Sequence, residues 1–282
     1  MKSKAVGVVH TRYTIARIFK YVFLSLVAIV DLLPLYWVFV STFKTQSEMI
    51  MHSLSLPSTW IVTNLVKVWG FIHFNLYLMN TLIYSVGAIV IVLLVASMAA
   101  YAVSKVLPSL TLYTILTIGL TVPFQALMLP EYIIIIRLHL LNTYPSLMLV
   151  YAAMLFSVDF FIMFGFMKQV PREMEEAAAI EGAGRARIFA SILMPVCVPA
   201  IATVFILDFV DCWNAYLMPL VLISDTEKFV LSQGVNFAKT QNFVDYSLLS
   251  AAIFIAVFPI IIIYIAFQEY LVKGFMAGAL KG

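Results

Sequence analysis

The sequence predicts an all-α integral membrane protein, a bundle of six transmembrane helices. Of the 282 residues, 63% are hydrophobic and only 11% are charged, whereas soluble domains average about 25% charged residues. Several apolar runs exceed the roughly 20 residues that a helix needs to cross the hydrocarbon core of a bilayer. These runs are continuous and do not alternate, so they favour helices over the strands of a barrel.

The apolar runs place six spans along the chain. They lie near residues 18–43, 79–104, 110–136, 144–168, 197–223 and 248–271. The longest remaining segments, 44–78 and 224–247, are too short to hold a core of their own. We therefore expect one membrane domain over residues 1–282, with a polar loop at 169–196 between the fourth and fifth spans.

The distribution of basic residues predicts the orientation. Six spans put both termini on the same side as the 169–196 loop. Twelve of the 17 lysines and arginines fall on that side, and five fall on the other. The positive-inside rule then makes that side cytoplasmic. The formal net charge of +3 reflects this bias and does not indicate nucleic-acid binding. The first apolar run continues far past the h-region of a signal peptide, so we expect it to remain as an anchor.

The 171–195 segment is a charged, alanine-rich island between two spans. Pro171 suits the first helical position, and the glutamates that follow favour the positive end of a helix dipole. Gly182 can adopt the left-handed conformation that ends a helix, so the pattern predicts a helix, a bend and a second helix before Pro195 opens the next span. Ala177 and Ala178 would allow close approach by another surface. Four apolar residues are expected to lie uncovered, which indicates a protein partner: Ile180, Ala183, Ile188 and Phe189. On composition alone, an amphipathic helix lying on lipid headgroups is an equal alternative.

The spacing of this island resembles the cytoplasmic coupling loop of ATP-binding-cassette importer permeases. The resemblance rests on Glu176-Ala177-Ala178, Gly182, Ile192 and Pro195. Further segments resemble the carbohydrate-uptake branch of these permeases: Pro123-Phe124-Gln125, Pro130, Leu140-Leu141-Asn142-Thr143-Tyr144, Trp213-Asn214, Pro219 and the tail from Lys273 to Gly282. Within that branch the chain is similar to the smaller, six-span permease of the maltose type. Glu181 and Met194 stand where aspartate and leucine are commoner.

The resemblance implies a subunit that forms the membrane path for a sugar or oligosaccharide. The implied partners are a second permease, a dimer of ATPases and an extracytoplasmic solute-binding protein, all at a bacterial or archaeal plasma membrane. ATP and magnesium would be bound by the ATPase partner, and this chain would hold no cofactor. The residues that would couple to the ATPase are Glu176, Ala177, Ala178, Gly182, Ala183, Ile188, Phe189 and Pro195. The tail residues Lys273, Gly274, Gly278 and Lys281 would reach toward the ATPase pair.

Residue patterns typical of enzymes and nucleotide sites are missing from the sequence. There is no Gly-x-x-x-x-Gly-Lys-Ser/Thr phosphate loop, so this chain is not expected to hydrolyse ATP. The histidines show no metal-ligand spacing, and no catalytic set can be assembled. Cys197 and Cys212 are interpreted as buried structural thiols. We expect a protein that is not an enzyme and binds no metal.

Acidic residues inside the spans are expensive to insert and are expected to face the bundle interior, a cavity or a partner. They are Asp31, Glu131, Asp159, Asp208 and Asp211. Asp208, Asp211 and Asn214 are spaced three apart on one helix face, which makes them candidates for the substrate path. Gln125 is a further candidate, because Pro123 and Pro130 on either side of it free backbone carbonyls and could break the third span beside a cavity. Trp213 and Tyr216 could stack on a sugar ring. The alternatives for the acids are pairing with a neighbouring helix, capping a broken helix or holding the second permease. For the aromatic residues the alternatives are ordinary packing or a place in the interfacial belt.

A different class of function remains open at this point. An ion-coupled secondary carrier could use Asp208 and Asp211 as proton or sodium sites, although it would have no need for the 171–195 island.

The outer loops give less information about function than the spans and the island do. The 44–78 loop contains Trp60 and Trp69 and could lie along the membrane surface as a gate or as an anchor. By resemblance, residues 224–247 would contact the docked solute-binding protein, and a solvated loop is the equal alternative.

Overall fold

The computed structural model describes residues 3–71, 73–235 and 245–279, with side chains described within 17–70, 73–235 and 245–269. Over these residues the regular structure is helical and contains no strand. The principal helices are α1 (Ser3–Thr42), α2 (Gln46–Met51), α3 (Thr63–Phe71), α4 (Phe74–Tyr101), α5 (Leu110–Thr117), α6 (Phe124–Arg137), α7 (Tyr144–Gln169), α8 (Arg172–Ile180), α9 (Arg185–Ile188), α10 (Met194–Val196), α11 (Val198–Asn214), α12 (Leu217–Leu222), α13 (described over 231–235) and α14 (Tyr246–Ala279). The predicted all-α class is confirmed.

Four helical segments are long and apolar enough to cross a membrane unbroken. They are Arg17–Thr42, Phe74–Val106, Tyr144–Gln169 and Tyr246–Glu269. Two further segments pass the same test only as bent pairs, Leu110–Thr121 with Phe124–Arg137 and Arg185–Val196 with Val198–Asn214. The described chain therefore offers four candidate spans, or six if each bent pair crosses once.

The third predicted span is not one straight helix. The chain turns by 102° between Thr121 and Phe124. Proline disfavours the helical conformation in the residue before it, and Val122, which precedes Pro123, is extended at φ −90° and ψ 120°. Pro130, by contrast, lies inside α6 without ending it. The third span is therefore broken, as its prolines predict, and the break falls at Pro123 and not at Pro130.

The fifth predicted span, 197–223, also differs from the structure. Its principal helix ends at Asn214, Ala215 is extended, and the short α12 follows. At the other end, the helical path bends by 75° at Cys197, two residues after Pro195. Pro195 lies within α10 and a further proline, Pro199, lies in the first turn of α11. The bend therefore falls between two prolines, and Pro195 does not itself open the span.

The chain forms two compact units, of which the first comprises Met1–Gly70 and Lys239–Ile255. A buried lysine organises its connecting segments, because the Nζ atom of Lys44 donates to the carbonyl oxygens of His52 at 2.7 Å and Ser53 at 3.1 Å. Asn64 donates to the carbonyls of Thr42 and Lys44, each at 2.8 Å. These bonds satisfy backbone groups that no helix pairs. The α1 span itself is exposed along its apolar surface within this chain.

The second unit comprises Phe71–Ala238 and Ala256–Gly282, and it holds the main core. Buried residues recur every four positions along α4: Tyr84, Ala88, Val92, Ala96 and Ala100. This stripe of mostly small side chains lets α7 and α11 approach closely, which is how membrane helices associate when no hydrophobic effect drives them together. Gly87 belongs to the same close approach, since a Cβ atom there would lie 2.7 Å from the Cε atom of Met148 on α7.

Candidate functional site

The predicted coupling island folds as a hairpin of two helices, residues 171–188, which we call the 171–188 hairpin. Gly182 ends α8 with a φ of +86°, a conformation that glycine adopts without steric cost. The Ala183 amide donates to the Ala178 carbonyl at 2.9 Å, and the Gly182 amide donates to the Ala179 carbonyl at 3.0 Å. These two bonds form a Schellman cap. The predicted helix, bend and second helix are confirmed, with Pro171 just before the first helical residue.

A buried ion pair fastens the 171–188 hairpin to the end of α4. Lys105 lies in the π-helical turn Ala102–Val106 that extends this helix. Its Nζ atom is 2.9 Å from the Oε1 atom of Glu175 and donates to the Val170 carbonyl at 2.6 Å. The side chains of Lys105 and Glu175 are only 4% and 16% exposed, so the pair is poorly screened by water. An ion pair and a hydrogen bond therefore attach the start of the hairpin to the core.

The two faces of α8 differ in exposure. Glu175 and Ala178 turn toward the core, while Glu176 and Ala177 are exposed. Ile180 is 88% exposed at the C-terminal end of this helix. Ala178 is buried, so it packs against this chain, contrary to the expectation that it lies on the same contact surface as Ala177.

The second helix of the 171–188 hairpin packs inward. Ile188 is buried, and the half-buried Phe189 contacts Tyr101 with ring centroids 5.5 Å apart. The expectation that these two side chains lie uncovered was wrong, because α9 continues through the π turn Phe189–Leu193 onto the core. Ala183 is half-buried and Pro195 is exposed.

The tail toward the predicted ATPase is only partly described. Lys273, Gly274 and Gly278 fall within the backbone of α14, but their side chains lie outside the described residues. Lys281 lies wholly outside them. The role of this tail stays a prediction.

Two of the predicted path residues line a cavity of about 470 Å³. Asp211 and Asn214 project from α11 onto its wall, together with Tyr216 beyond the end of that helix. Phe124, at the bend of the third span, and Tyr151 of α7 line it as well. The cavity thus combines a few polar groups with aromatic walls, a composition that suits a small polar ligand.

The other path candidates do not line this cavity. Trp213 is buried, stacks on Phe209 at 5.2 Å and donates to the Ala256 carbonyl at 3.0 Å, so the packing alternative holds for it. Asp208 is fully buried and lies against Asp159 of α7. Gln125 is exposed next to the cavity residue Phe124 but is not on the wall.

At the opposite end of α4 and α7 from Lys105, the 223–235 loop is held by side-chain amides. Asn142 has a φ of +60°, which asparagine tolerates better than most residues, and its Oδ1 atom accepts from the Ser224 and Asp225 amides at 3.1 and 3.0 Å. Asn80 donates to the carbonyls of Glu227 and Phe229 at 2.8 and 3.0 Å. The Asp225 carboxyl accepts from Lys228, and this bond lowers its pKa below the ordinary value.

Sequence reasoning missed two functional contributions. Lys105 was counted only as one positive charge, and no spacing rule links it to Glu175, 70 positions along the chain. Tyr151 lies within the predicted span 144–168, and the sequence gives no signal that it lines a cavity.

Known proteins resemble the chain over most of its length. Residues 92–276 match the family model described as binding-protein-dependent transport system inner membrane component. The chain is 32% identical to the diacetylchitobiose uptake system permease protein NgcG of Streptomyces coelicolor, over 92% of this chain and 87% of that protein. It is 30% identical to the trehalose/maltose transport system permease protein MalG of Thermococcus litoralis, over 91% and 94%.

A solved structure shares the fold. It is the crystal structure of a bacterial ABC transporter involved in the import of the acidic polysaccharide alginate, matched with a TM-score of 0.82 at 23% identity over 91% of this chain and 96% of that one. The family groups transport permeases and not enzymes. The Schellman-capped hairpin, the candidate spans and the match over residues 92–276 lead to one assignment. The chain belongs to the family of binding-protein-dependent transport system inner membrane components.

Proposed function

We propose that this chain forms part of the membrane path for a sugar or oligosaccharide in an ABC importer. The observation that carries the proposal is the 171–188 hairpin, a rigid helical projection with an exposed Glu176 and Ile180, in a chain of this transport family. The named substrates of its relatives, diacetylchitobiose, starch degradation products, and trehalose or maltose, support a carbohydrate. The ion-coupled carrier is the weaker alternative, because the family works with a separate binding protein.

The 171–188 hairpin is the proposed contact with the ATPase. The exposed face of α8, with Glu176, Ala177 and Ile180, would enter a cleft of that subunit, and Gly182 would hold the bend. Force applied to this face reaches α4 through the Lys105–Glu175 pair, in addition to the covalent link to α7. ATP and magnesium would remain on the ATPase. Ile188 and Phe189 support the hairpin from inside.

The proposed orientation places both termini and the 171–188 hairpin in the cytoplasm, with six spans in which the two bent pairs each cross once. Basic residues dominate the hairpin side, which supports this orientation. The 223–235 loop would then face the solute-binding protein. The proposed complex contains a second permease, an ATPase dimer and this binding protein in the plasma membrane of a bacterium or archaeon.

The substrate contacts are proposed at the cavity that Asp211 and Asn214 line. A carboxylate and a carboxamide can hydrogen-bond sugar hydroxyls, and Tyr216 or Phe124 can stack on the apolar face of a sugar ring. Asp208 and Trp213 would act only behind this wall, since both are buried.

The assembly can be tested by co-purification. The chain is tagged at its C-terminus, extracted from native membranes in mild detergent, and its partners are identified by mass spectrometry. We expect a second permease, an ATPase and a solute-binding protein, and the binding protein can then be screened against sugars. Recovery of the chain alone, or as a homodimer without an ATPase, would contradict the proposal.

A further inference from the structure

A second cavity, of about 820 Å³, opens where α4 and α7 end and α8 begins. Its floor is formed by Lys105, Val170 and Pro171, so it lies directly behind the first turn of the 171–188 hairpin. Its position at the ends of two spans places it at the edge of the bilayer. The transport function assigns no role to this cavity.

The lining has a polar, basic side. Lys168 and Arg172 border the cavity, and both are exposed. Within the described part of the chain, the salt bridges involve Lys105 and Lys228 only, so the positive charges of Lys168 and Arg172 have no acidic partner there. The third basic residue, Lys105, is already neutralised by Glu175. Two cations that form no ion pair among the described residues therefore line one cavity.

A hydroxyl group adds a second, independent observation. The Oγ atom of Ser104, on the cavity wall, is buried and has no hydrogen-bond partner among the described residues. A buried polar atom without a partner costs free energy unless a ligand or water satisfies it. A phosphate oxygen is the acceptor that a hydroxyl and two cations would share.

The lining also contains apolar residues next to the basic ones. They are Leu110, Tyr113 and Phe164, with the rings of Tyr113 and Phe164 packed at 4.7 Å between centroids. The Lys168 ammonium lies 5.8 Å from the Phe164 ring centroid, so the lysine folds back over this ring. A free phosphate ion has nothing to place against such a surface, whereas a phospholipid has acyl chains beside its headgroup.

We propose that this cavity binds the headgroup of an anionic phospholipid, with its phosphate at Lys168, Arg172 and Ser104 and its first acyl segment along Leu110, Tyr113 and Phe164. The lipid would brace the base of the 171–188 hairpin. Basic side chains at a membrane edge are attracted to anionic lipid headgroups, and here a pre-formed cavity adds selectivity for one bound molecule.

The test is lipid binding to the purified full-length chain, together with any subunits that co-purify. Phosphatidylglycerol and phosphatidylcholine are titrated in detergent, and bound lipid is counted by native mass spectrometry. The wild type should bind one phosphatidylglycerol in preference to phosphatidylcholine. The double variant Lys168→Gln/Arg172→Gln should bind phosphatidylglycerol about 30-fold more weakly, from the loss of two headgroup attractions. Each single substitution should weaken binding about fivefold, on the same basis.

The matched control variant also removes two positive charges, but from residues that do not line the cavity. Arg185 and Arg187 are exposed on α9 and do not line the cavity, so Arg185→Gln/Arg187→Gln should leave phosphatidylglycerol binding within about twofold, since these charges contribute only non-specific attraction. Equal losses in both double variants, or no loss in the first, would overturn the proposal. Displacement of the lipid by an equal concentration of glycerol 3-phosphate would also overturn it, since the ligand would then be a soluble phosphate. None of these readouts depends on the transported sugar.

Discussion

Individual residues decide whether the 171–188 hairpin can act as a lever. The bend depends on one left-handed residue, Gly182, and the attachment to the core depends on one ion pair, Lys105 with Glu175. The sequence predicts the bend at Gly182, because a glycine after a run of helix-forming residues commonly ends a helix. The sequence does not predict the Lys105–Glu175 ion pair, because these two residues are brought together only by the packing of α4 against α7.

The substitution Gly182→Ala tests the bend. Nothing lies within 4 Å of a Cβ atom at Gly182, so the cost is that of the backbone conformation alone, about 1–2 kcal/mol. We expect the Ala183 amide, which bonds to Ala178, to exchange hydrogen about tenfold faster. The measurement is hydrogen exchange by mass spectrometry over residues 177–188.

Gly184 provides the control for this substitution. It has an ordinary φ of −72° and also has open space around it, so Gly184→Ala should leave the exchange rate of Ala183 unchanged. Equal effects at both positions would show that the left-handed conformation at Gly182 is not what holds the bend.

The substitution Lys105→Met tests the attachment. It leaves the Glu175 carboxylate with little water and no counter-charge, which costs about 3 kcal/mol. The thermal midpoint of the purified complex should fall, and the ratio of sugar transported to ATP hydrolysed should fall with it. The double variant Lys105→Met/Glu175→Gln should recover much of the midpoint, because no unpaired charge remains. An exposed arginine, Arg187, serves as control, and Arg187→Met should change neither quantity. Additive losses in the double variant would contradict a direct pair.

At the level of elements, the sequence predicts where helices exist better than where they bend. The four unbroken spans follow from apolar length alone, and the observed segments agree with the predicted ones within a few residues at most ends. Which prolines bend a helix was harder to predict, because Pro130 and Pro259 are tolerated inside α6 and α14, whereas the chain bends at Pro123 and at Cys197. Whether a proline breaks a helix depends on whether neighbouring groups satisfy the freed carbonyl, and that is a property of the tertiary structure.

The short helix α13 packs closely on α4 at Gly234. A Cβ atom at Gly234 would overlap the ring of Tyr77, which is buried on α4. Gly234→Ala should therefore lower stability by about 1–3 kcal/mol, seen as a lower thermal midpoint in detergent. Gly165, four residues before the end of α7, has nothing within 4 Å of its Cβ position, so Gly165→Ala should not lower the midpoint. A Gly234→Ala protein as stable as the wild type would show that α13 does not pack on Tyr77.

At the level of the whole molecule, the chain combines an exposed hairpin, a core of closely packed small residues and a cavity lined by Asp211 and Asn214 among apolar and aromatic side chains. Hydrophobicity and charge bias predict the membrane class, and the Glu-Ala-Ala motif points to the transport family. The cavity walls could not be predicted in the same way. Asp208 and Asp211 share a helix face by spacing, yet one is buried against Asp159 and the other lines the cavity.

We propose that the exposed face of α8 docks on an ATPase, so a residue on this face, Ile180, should lie close to that subunit. Both native cysteines are buried, so a cysteine introduced by Ile180→Cys is the accessible thiol in the described chain. We expect a short bifunctional reagent added to native membranes to cross-link this variant to the ATPase subunit in high yield. The buried control Ala178→Cys should give little product. A variant Ile180→Cys that remains un-cross-linked, while Trp60→Cys in the other unit captures the ATPase, would contradict the account.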